Sequence, residues 1–291
     1  LYNWEDLGLF IEPDLTDKAA PLYPTSRADR PHIIKCQATG KYICWIKHCG
    51  DDACFTVLQA DRFLGPYEVV KTHYRPFNHE VGDFDITVCS DTAYLYMDAD
   101  HSGLLTMRLT TDFTEAAEKI CWQYKNLHAP FCREAPAVFS HEGKWFMLTS
   151  GMTGYVPNRS DSAAANSPDA PFLSIGNPHV EDDSCASFNS QISQVFKVPS
   201  KRGLYIALAD RWVPDYPVDA KLADLLERCT AQRFDPKHYK ATPEEMQHMM
   251  QSPMLSSANT SRADYVWLPI TFENGKPKIH WCDSWKLSEF E

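Results

Sequence analysis

Short apolar runs separated by turn residues recur along the chain, and their spacing constrains the fold more than any other feature of the sequence. The run 41–46, for example, follows the turn residues Thr39 and Gly40. Groups of such runs start near residues 30, 83, 134 and 187. Many short, evenly spaced strands are typical of sandwiches, barrels and propellers, and a period of about 50 residues with four strands per unit indicates a propeller. We therefore predict an all-β propeller.

One segment has helical instead of strand periodicity. Within 219–229, three leucines fall on one face of a helix. Thr242, Pro243 and Glu245 fit the N-cap, N1 and N3 positions of a second helix. We predict a small helical insertion over about 214–260, between two strands of one blade.

Composition bounds the function classes. The chain has 291 residues, of which 44% are hydrophobic, enough for one large core, and we predict a single domain over 1–291. The net charge of -11 argues against nucleic acid as a partner, because phosphates need a basic face. No apolar run reaches the ~18 residues that span a membrane, so we expect no membrane partner.

The ten cysteines argue against a metal centre and a disulfide scaffold. They form no Cys-x-x-Cys pair, and several, such as Cys44, lie inside apolar runs where a thiol packs as a small hydrophobe. We predict no metal and no cofactor. Free cysteines and the lack of a visible signal peptide favour the cytoplasm. Because the chain does not begin with Met, a trimmed N-terminus and a secreted or periplasmic location stay open.

A candidate acid lies at the start of a predicted hairpin. Glu134 precedes Pro136, which belongs at a strand start or edge because it cannot donate to a sheet ladder. A turn at 141–143 leads into a second apolar strand over 144–150. A carboxylic acid held in a pocket is half of the catalytic pair of a glycosidase.

Polar residues stand at four predicted blade entrances. The innermost strands of a propeller line its channel, so equivalent positions in successive blades face one cavity. The four groups are Asp29-Arg30-Pro31, Gly82-Asp83-Phe84-Asp85, Arg133-Glu134-Ala135-Pro136 and the run 187–191.

These motifs resemble glycoside hydrolase family 43, a family of five-bladed propellers with an inverting mechanism, and within it the branch of exo-β-1,3-galactanases. They follow one another in order over nearly the whole chain, and the segment from Glu134 to Asn158 is the most specific. The matching segments are Arg30-Pro31, Leu64-Gly65-Pro66-Tyr67, Asp85, Glu134-Ala135-Pro136-Ala137, 149–158, Asn189-Ser190-Gln191, Asp210-Arg211-Trp212 and 265–269.

The resemblance implies three catalytic residues. Glu134 would be the general acid, and Asp85 would orient it and raise its pKa through like charge. Gln191 would hold the attacking water where other members have an acidic base. An amide cannot take a proton at neutral pH, so the base is left open. Each residue also has a structural interpretation: Glu134 as a solvated strand end, Asp85 as a turn cap with Asp83, and Gln191 as a partner of backbone groups.

The resemblance also implies six substrate-binding residues. They are Asp29, Arg30, Tyr155, Asn189, Arg211 and Trp212. Asp29 falls where the galactanase branch has a glutamate that touches substrate, although it could simply pair with Arg30. Arg211 could grip a sugar hydroxyl or pair with Asp210. Tyr155 and Trp212 are either platforms for sugar rings or core residues.

The first blade is expected to be incomplete. Residues 1–8 resemble the last strand of that blade in the family, and its earlier strands have no counterpart in this sequence. The predicted function is an inverting, exo-acting glycosidase that removes terminal galactose or arabinofuranose from an oligosaccharide or polysaccharide. The alternative is a glycan-binding propeller without turnover, favoured by the missing acidic base. The sequence predicts no oligomeric state.

Overall fold

The computed structural model describes residues 3–50, 52–253 and 258–290. These residues form four sheets, and each sheet contains four strands in chain order. The first two strands of every sheet pair antiparallel. This is the repeating unit expected of a propeller, and the prediction of an all-β chain with few helices is confirmed.

The strands follow the predicted spacing. The first sheet contains β1 (Ala28–Lys35), β2 (Tyr42–His48), β3 (Cys54–Ala60) and β4 (Glu68–Tyr74), and the second contains β5 (Val81–Cys89), β6 (Thr92–Ala99), β7 (Leu104–Leu109) and β8 (Ala116–Gln123). The third sheet contains β9 (Glu134–His141), β10 (Lys144–Ser150), β11 (Ser160–Ala165) and β12 (Leu173–Gly176), and the fourth contains β13 (Gln191–Lys197), β14 (Tyr205–Arg211), β15 (Asp264–Glu273) and β16 (Lys276–Ile279).

The prediction of five blades is wrong, because the described residues form four sheets. Residues 3–27 contain no strand. Side chains close local turns there instead, as when Asp14 Oδ1 accepts the backbone N–H of Thr16 at 2.9 Å. Residues 3–8 therefore do not form the expected last strand of a first blade, and Leu1 and Tyr2 lie outside the described residues.

By its internal contacts the chain divides into two compact units. The first unit contains the described residues up to 100 and residues 105–120. Its core is aromatic: the ring of Phe55 lies 5.1 Å from Trp45 and 4.8 Å from Phe84. The indole of Trp45 donates to the carbonyl of Phe113 at 2.9 Å, so this buried ring has no unpaired polar atom.

The second unit contains residues 101–104 and the described residues from 121 onward. Apolar side chains of the third and fourth sheets form one buried cluster, in which Phe139 packs between Phe146 and Tyr205 at ring distances of 5.6 and 5.3 Å. This shared core fixes β9 and β13 against each other. The prediction of a single domain over 1–291 stays a prediction.

Two helices lie between β14 and β15, within the predicted insertion. α1 (Ala220–Phe234) is capped by Asp219, and α2 (Pro243–Gln251) begins with the capping box of Thr242 and Glu245 that its sequence predicts. Both contribute apolar residues to one buried cluster that also contains Val156. Residues 254–257 of the predicted insertion lie outside the described residues. No helix in the part of the chain that the structure describes is long and apolar enough to cross a membrane.

An irregularity of register follows the start of the first strand in every sheet. The pairing shifts after Asp29 in β1, after Val81 in β5, after Glu134 in β9 and after Ile192 in β13. Such bulges re-aim side chains and are common beside active sites. Of the predicted site residues, Asp29, Arg30, Glu134 and Gln191 lie at or next to these shifts, whereas Asp85 lies in a regularly paired stretch of β5.

Candidate active site

Glu134 is the first residue of β9 and is half-buried. It pairs across the sheet with Ser150, the last residue of β10. The next residue, Ala135, has a left-handed backbone with φ of 48°, and Pro136 has no N–H to donate. Left-handed alanine is uncommon, and such residues cluster at ligand sites. Ala135 and Pro136 therefore interrupt the regular pairing of β9 with β10 directly after Glu134.

Arg133 binds Thr149, the residue of β10 that lies opposite this bulge. Its Nε donates to Thr149 Oγ1 at 3.0 Å and its Nη2 donates to the carbonyl of Thr149 at 2.8 Å. Burial lowers the pKa of this guanidinium below its ordinary value, although the nearby charges of Asp161 and Glu134 oppose the shift. A half-buried cation thus lies beside the candidate acid and binds Thr149, the residue before Ser150, which is the strand partner of Glu134.

Gln191 contacts Glu134 directly. Its Nε2 donates to Glu134 Oε1 at 3.1 Å and to Ser150 Oγ at 2.9 Å. Gln191 is the first residue of β13, as Glu134 is of β9, so the equivalent positions predicted from the repeat meet within the second unit. The amide orients the carboxylate. Its predicted role in holding water stays a prediction.

Trp212 and Tyr155 extend this network. The indole Nε1 of Trp212 donates to Gln191 Oε1 at 3.2 Å, so Trp212 is a polar partner as well as a ring. The ring of Tyr155 meets Trp212 edge to face at 5.6 Å and is 43% exposed. Exposed aromatic faces suit the apolar faces of sugars, which keeps the interpretation of Tyr155 as a platform.

Arg211 and Asn189 lie at the adjoining end of the fourth sheet. Arg211 donates from Nη2 to the carbonyl of Phe188 at 2.8 Å and from Nε to that of Asn189 at 3.3 Å. The Asn189 side chain accepts the backbone N–H of Val218 at 2.7 Å. Arg211 therefore binds a loop and does not form the predicted alternative pair with Asp210.

The first unit holds a second cluster around Asp83. Arg30 Nη2 lies 2.8 Å from Asp83 Oδ2, and Lys47 Nζ lies 2.6 Å from Asp83 Oδ1. Arg30 thus pairs with Asp83 and not with its neighbour Asp29. Asp29 instead accepts the thiol of Cys49 at 2.6 Å. Burial raises the pKa of that thiol, so it is protonated and can donate.

Asp85 is buried in the middle of β5, with 3% of its surface exposed. Its Oδ1 lies 3.4 Å from His32 Nδ1 of β1. The interpretation of Asp85 as a turn cap is wrong, because both Asp83 and Asp85 lie within the strand. A buried carboxylate must have polar partners, and His32 supplies one.

The Asp83 cluster should make stability depend on pH. Burial by itself raises the pKa of Asp83, but Arg30 and Lys47 outweigh it and hold that pKa below its ordinary value. The ionised group therefore contributes stability above about pH 4, and this contribution is lost as the pH falls below that value. We expect urea denaturation to show a larger loss between about pH 6 and about pH 3 for the natural chain than for Asp83→Asn. Equal losses would contradict this role of Asp83.

Sequence reasoning missed several residues of both clusters. Ser150, Cys49 and His32 each contact a predicted site residue, and Lys47 contacts Asp83, which lies two residues before the predicted site residue Asp85. Ser150, His32 and Lys47 lie in strands and Cys49 directly follows one, and nothing local there distinguishes a polar partner from a core or surface residue. For Lys47, the one available signal is a charge that directly follows the apolar run of β2.

Within residues 3–50, 52–253 and 258–290, no group of three or more His, Cys, Asp or Glu side chains is placed to hold a metal ion.

The repeated four-stranded sheets give this chain a fold like that of glycoside hydrolase family 43. The similarity is carried by solved structures at 16–26% identity. A β-1,3-galactosidase of that family is 26% identical, with a TM-score of 0.75 over 99% of this chain and 53% of the other. The chain thus spans about half the length of this relative.

Two further solved structures share the fold. A second β-1,3-galactosidase of the family, solved with galactodeoxynojirimycin, is 21% identical, with a TM-score of 0.71 over 98% of this chain and 84% of the other. An exo-β-1,3-galactanase from Phanerochaete chrysosporium, solved with β-1,3-galactotriose, is 19% identical, with a TM-score of 0.66 over 93% and 52%. No protein-family profile matches the chain. No curated protein matches it by sequence.

Proposed function

We propose that this chain is a glycoside hydrolase that removes terminal galactose from a β-1,3-linked galactan by single displacement with inversion. The observation that carries the proposal is Glu134, a half-buried carboxyl group at a bulged strand start that is oriented by the amide of Gln191 at 3.1 Å. The similarity to β-1,3-galactosidases over almost the whole chain supports the choice of sugar and linkage.

In this mechanism Glu134 gives its proton to the glycosidic oxygen as the bond from that oxygen to the anomeric carbon breaks. Water attacks the anomeric carbon from the opposite face and gives up a proton. Because Gln191 donates to Glu134 Oε1, the transferable proton is best carried by Oε2. Gln191 orients the acid and cannot accept the proton of the water, so the base is a different group.

The test is a product assay that follows the anomer. With β-1,3-galactotriose as substrate, the only galactose freed at first is the terminal residue, and we expect it to be released as the α-anomer, since inversion converts a β-linkage into an α-product. Proton NMR resolves the two anomers before they equilibrate. Initial release of β-galactose would contradict inversion. Faster hydrolysis of aryl α-L-arabinofuranosides than of aryl β-galactosides would mean that arabinofuranose, and not galactose, is the sugar removed.

The second candidate is a glycan-binding protein without turnover. It is favoured by the direct contact of an amide with Glu134, since an amide offers no base to activate water. Isothermal titration with β-1,3-galacto-oligosaccharides, run beside the product assay, separates the two functions. Heat of binding with no released galactose would support the second candidate.

A further inference from the structure

A cavity of about 300 Å³ opens at the end of β14, within the second unit. Phe188, Asn189, Arg211, Pro214 and Trp281 line it. It adjoins the site of Glu134, because Asp210, the neighbour of Arg211, pairs across the sheet with Gln191. A ligand that extends from Glu134 along this sheet end would therefore meet the cavity.

The cavity contains a cation without an acidic partner. Among the residues that the structure describes, Arg211 forms no ion pair, whereas Arg30 pairs with Asp83 and Arg262 with Asp215. Its two bonds to the carbonyls of Phe188 and Asn189 use part of the five N–H donors of a guanidinium. The remaining donors form a fork that matches a carboxylate.

Trp281 gives the cavity a flat wall. The ring is 46% exposed, and its indole Nε1 is held by Asp283 Oδ1 at 2.9 Å. The guanidinium carbon of Arg211 lies 5.6 Å from the ring centre, so the cation and the ring belong to one surface. An aromatic face beside a cation suits a ring-shaped ligand that carries a negative charge.

The loop that holds Arg211 is strained. Ser187, Phe188 and Asn189 have φ of 53°, 53° and 62°, a left-handed run that non-glycine residues rarely adopt. Asp182 Oδ2 accepts the N–H of Phe188 at 3.0 Å and helps to hold the run. Backbone strain of this kind clusters at ligand sites, and here it aims two carbonyls at Arg211.

We propose that this cavity is a subsite for a uronosyl residue, a sugar that carries a carboxylate. The carboxylate binds the outward N–H groups of Arg211, and the apolar face of the sugar ring packs on Trp281. The nearby carboxylates of Asp215 and Asp283 are already bound, to Arg262 at 2.8 Å and to the Trp281 indole. This inference rests on the proposed function for one point, that the uronosyl residue belongs to a galactan. The substrate class is therefore an acidic galactan.

The first test compares two ligands on the unaltered chain. D-glucuronate and its uncharged methyl ester are titrated separately and followed by ligand-detected NMR, at about 0.15 M salt to screen the negative charge of the chain. We expect the ester to bind about tenfold more weakly or worse, because it cannot form charge-assisted bonds to the guanidinium. Equal affinity for acid and ester would overturn the proposal.

The second test locates the site. Arg211→Lys keeps the charge but loses the fork, and Trp281→Leu keeps Arg211 but removes the wall. We expect Arg211→Lys to reduce the preference for the acid over the ester. We expect Trp281→Leu to weaken the binding of both ligands. Arg202→Lys is the matched control, since Arg202 is exposed and does not line the cavity. An unchanged acid preference in Arg211→Lys would overturn the assignment, and Trp281→Leu tests the site even where Arg211→Lys is poorly folded.

Hydrolysis of unbranched β-1,3-galactobiose is measured on the same samples. Preference for glucuronate without hydrolysis would keep the subsite and contradict the proposed function. Hydrolysis with no preference for glucuronate would support the proposed function and contradict the subsite.

Discussion

Replacing Glu134 with glutamine should slow hydrolysis of β-1,3-galactobiose by roughly 10²–10⁴-fold, the range that a general acid contributes. Glutamine has the shape of glutamate, and its oxygen can still accept the hydrogen bond from Gln191. Its amide N–H groups are not acidic, so it cannot protonate the leaving oxygen. The loss should therefore appear in the chemical step, with the melting temperature nearly unchanged.

The dependence on the leaving group sharpens this prediction. The dinitrophenolate group of a dinitrophenyl β-galactoside leaves without protonation. Glu134→Gln should therefore slow hydrolysis of this substrate far less than that of galactobiose. Equal losses on both substrates would contradict a role as acid. Glu142→Gln is the matched control, because Glu142 lies at the turn of the same hairpin with its side chain 84% exposed. It should leave both rates unchanged.

Replacing Asp83 with asparagine should lower the free energy of unfolding by about 3–5 kcal/mol, the cost of removing one partner from a buried ion pair. Asp83 is 8% exposed and neutralises two cations, Arg30 and Lys47. The amide that replaces it keeps the volume but not the charge. Urea denaturation at neutral pH measures the effect.

An exposed ion pair of the same unit supplies the control. Asp52 lies 3.6 Å from Arg75 with its side chain 98% exposed, and such pairs contribute about 0–1 kcal/mol. Asp52→Asn should therefore cost less than about 1 kcal/mol. If Asp83→Asn cost no more than Asp52→Asn, the cluster would not be a stabilising unit.

The repeat in the sequence predicted the strands that begin each sheet. The groups near 30, 83, 134 and 187 correspond to β1, β5, β9 and β13. These strands are found because apolar residues and turns alternate there. β11 is not found, because Ser160–Ala165 is made of small and polar residues that give no apolar run, although it lies between β10 and β12 in the sheet. Its place is set by its neighbours.

Of the candidate site, the contact between Glu134 and Gln191 follows from the repeat, since both begin the first strand of a sheet. The pairing of Arg30 was not predictable. Its neighbour Asp29 is closer in sequence, but Asp29 accepts the Cys49 thiol, and the backbone at Arg30 is left-handed with φ of 50°. Asp83, from another sheet, is the partner instead. Side-chain direction at a bulge is a property of the folded backbone.

The indole of Trp212 gives the hydrogen bonds around Glu134 a fixed direction. An indole N–H can only donate, so the group of Gln191 that faces it must be the carbonyl oxygen. The amide N–H groups are then left to face Glu134 and Ser150. If this amide were rotated by 180°, its N–H groups would face the indole N–H of Trp212, and its carbonyl oxygen would face the carboxylate of Glu134. Trp212 thereby fixes the orientation of the Gln191 amide, so that hydrogen bonds are donated in one direction, from the indole to Gln191 and from Gln191 to Glu134.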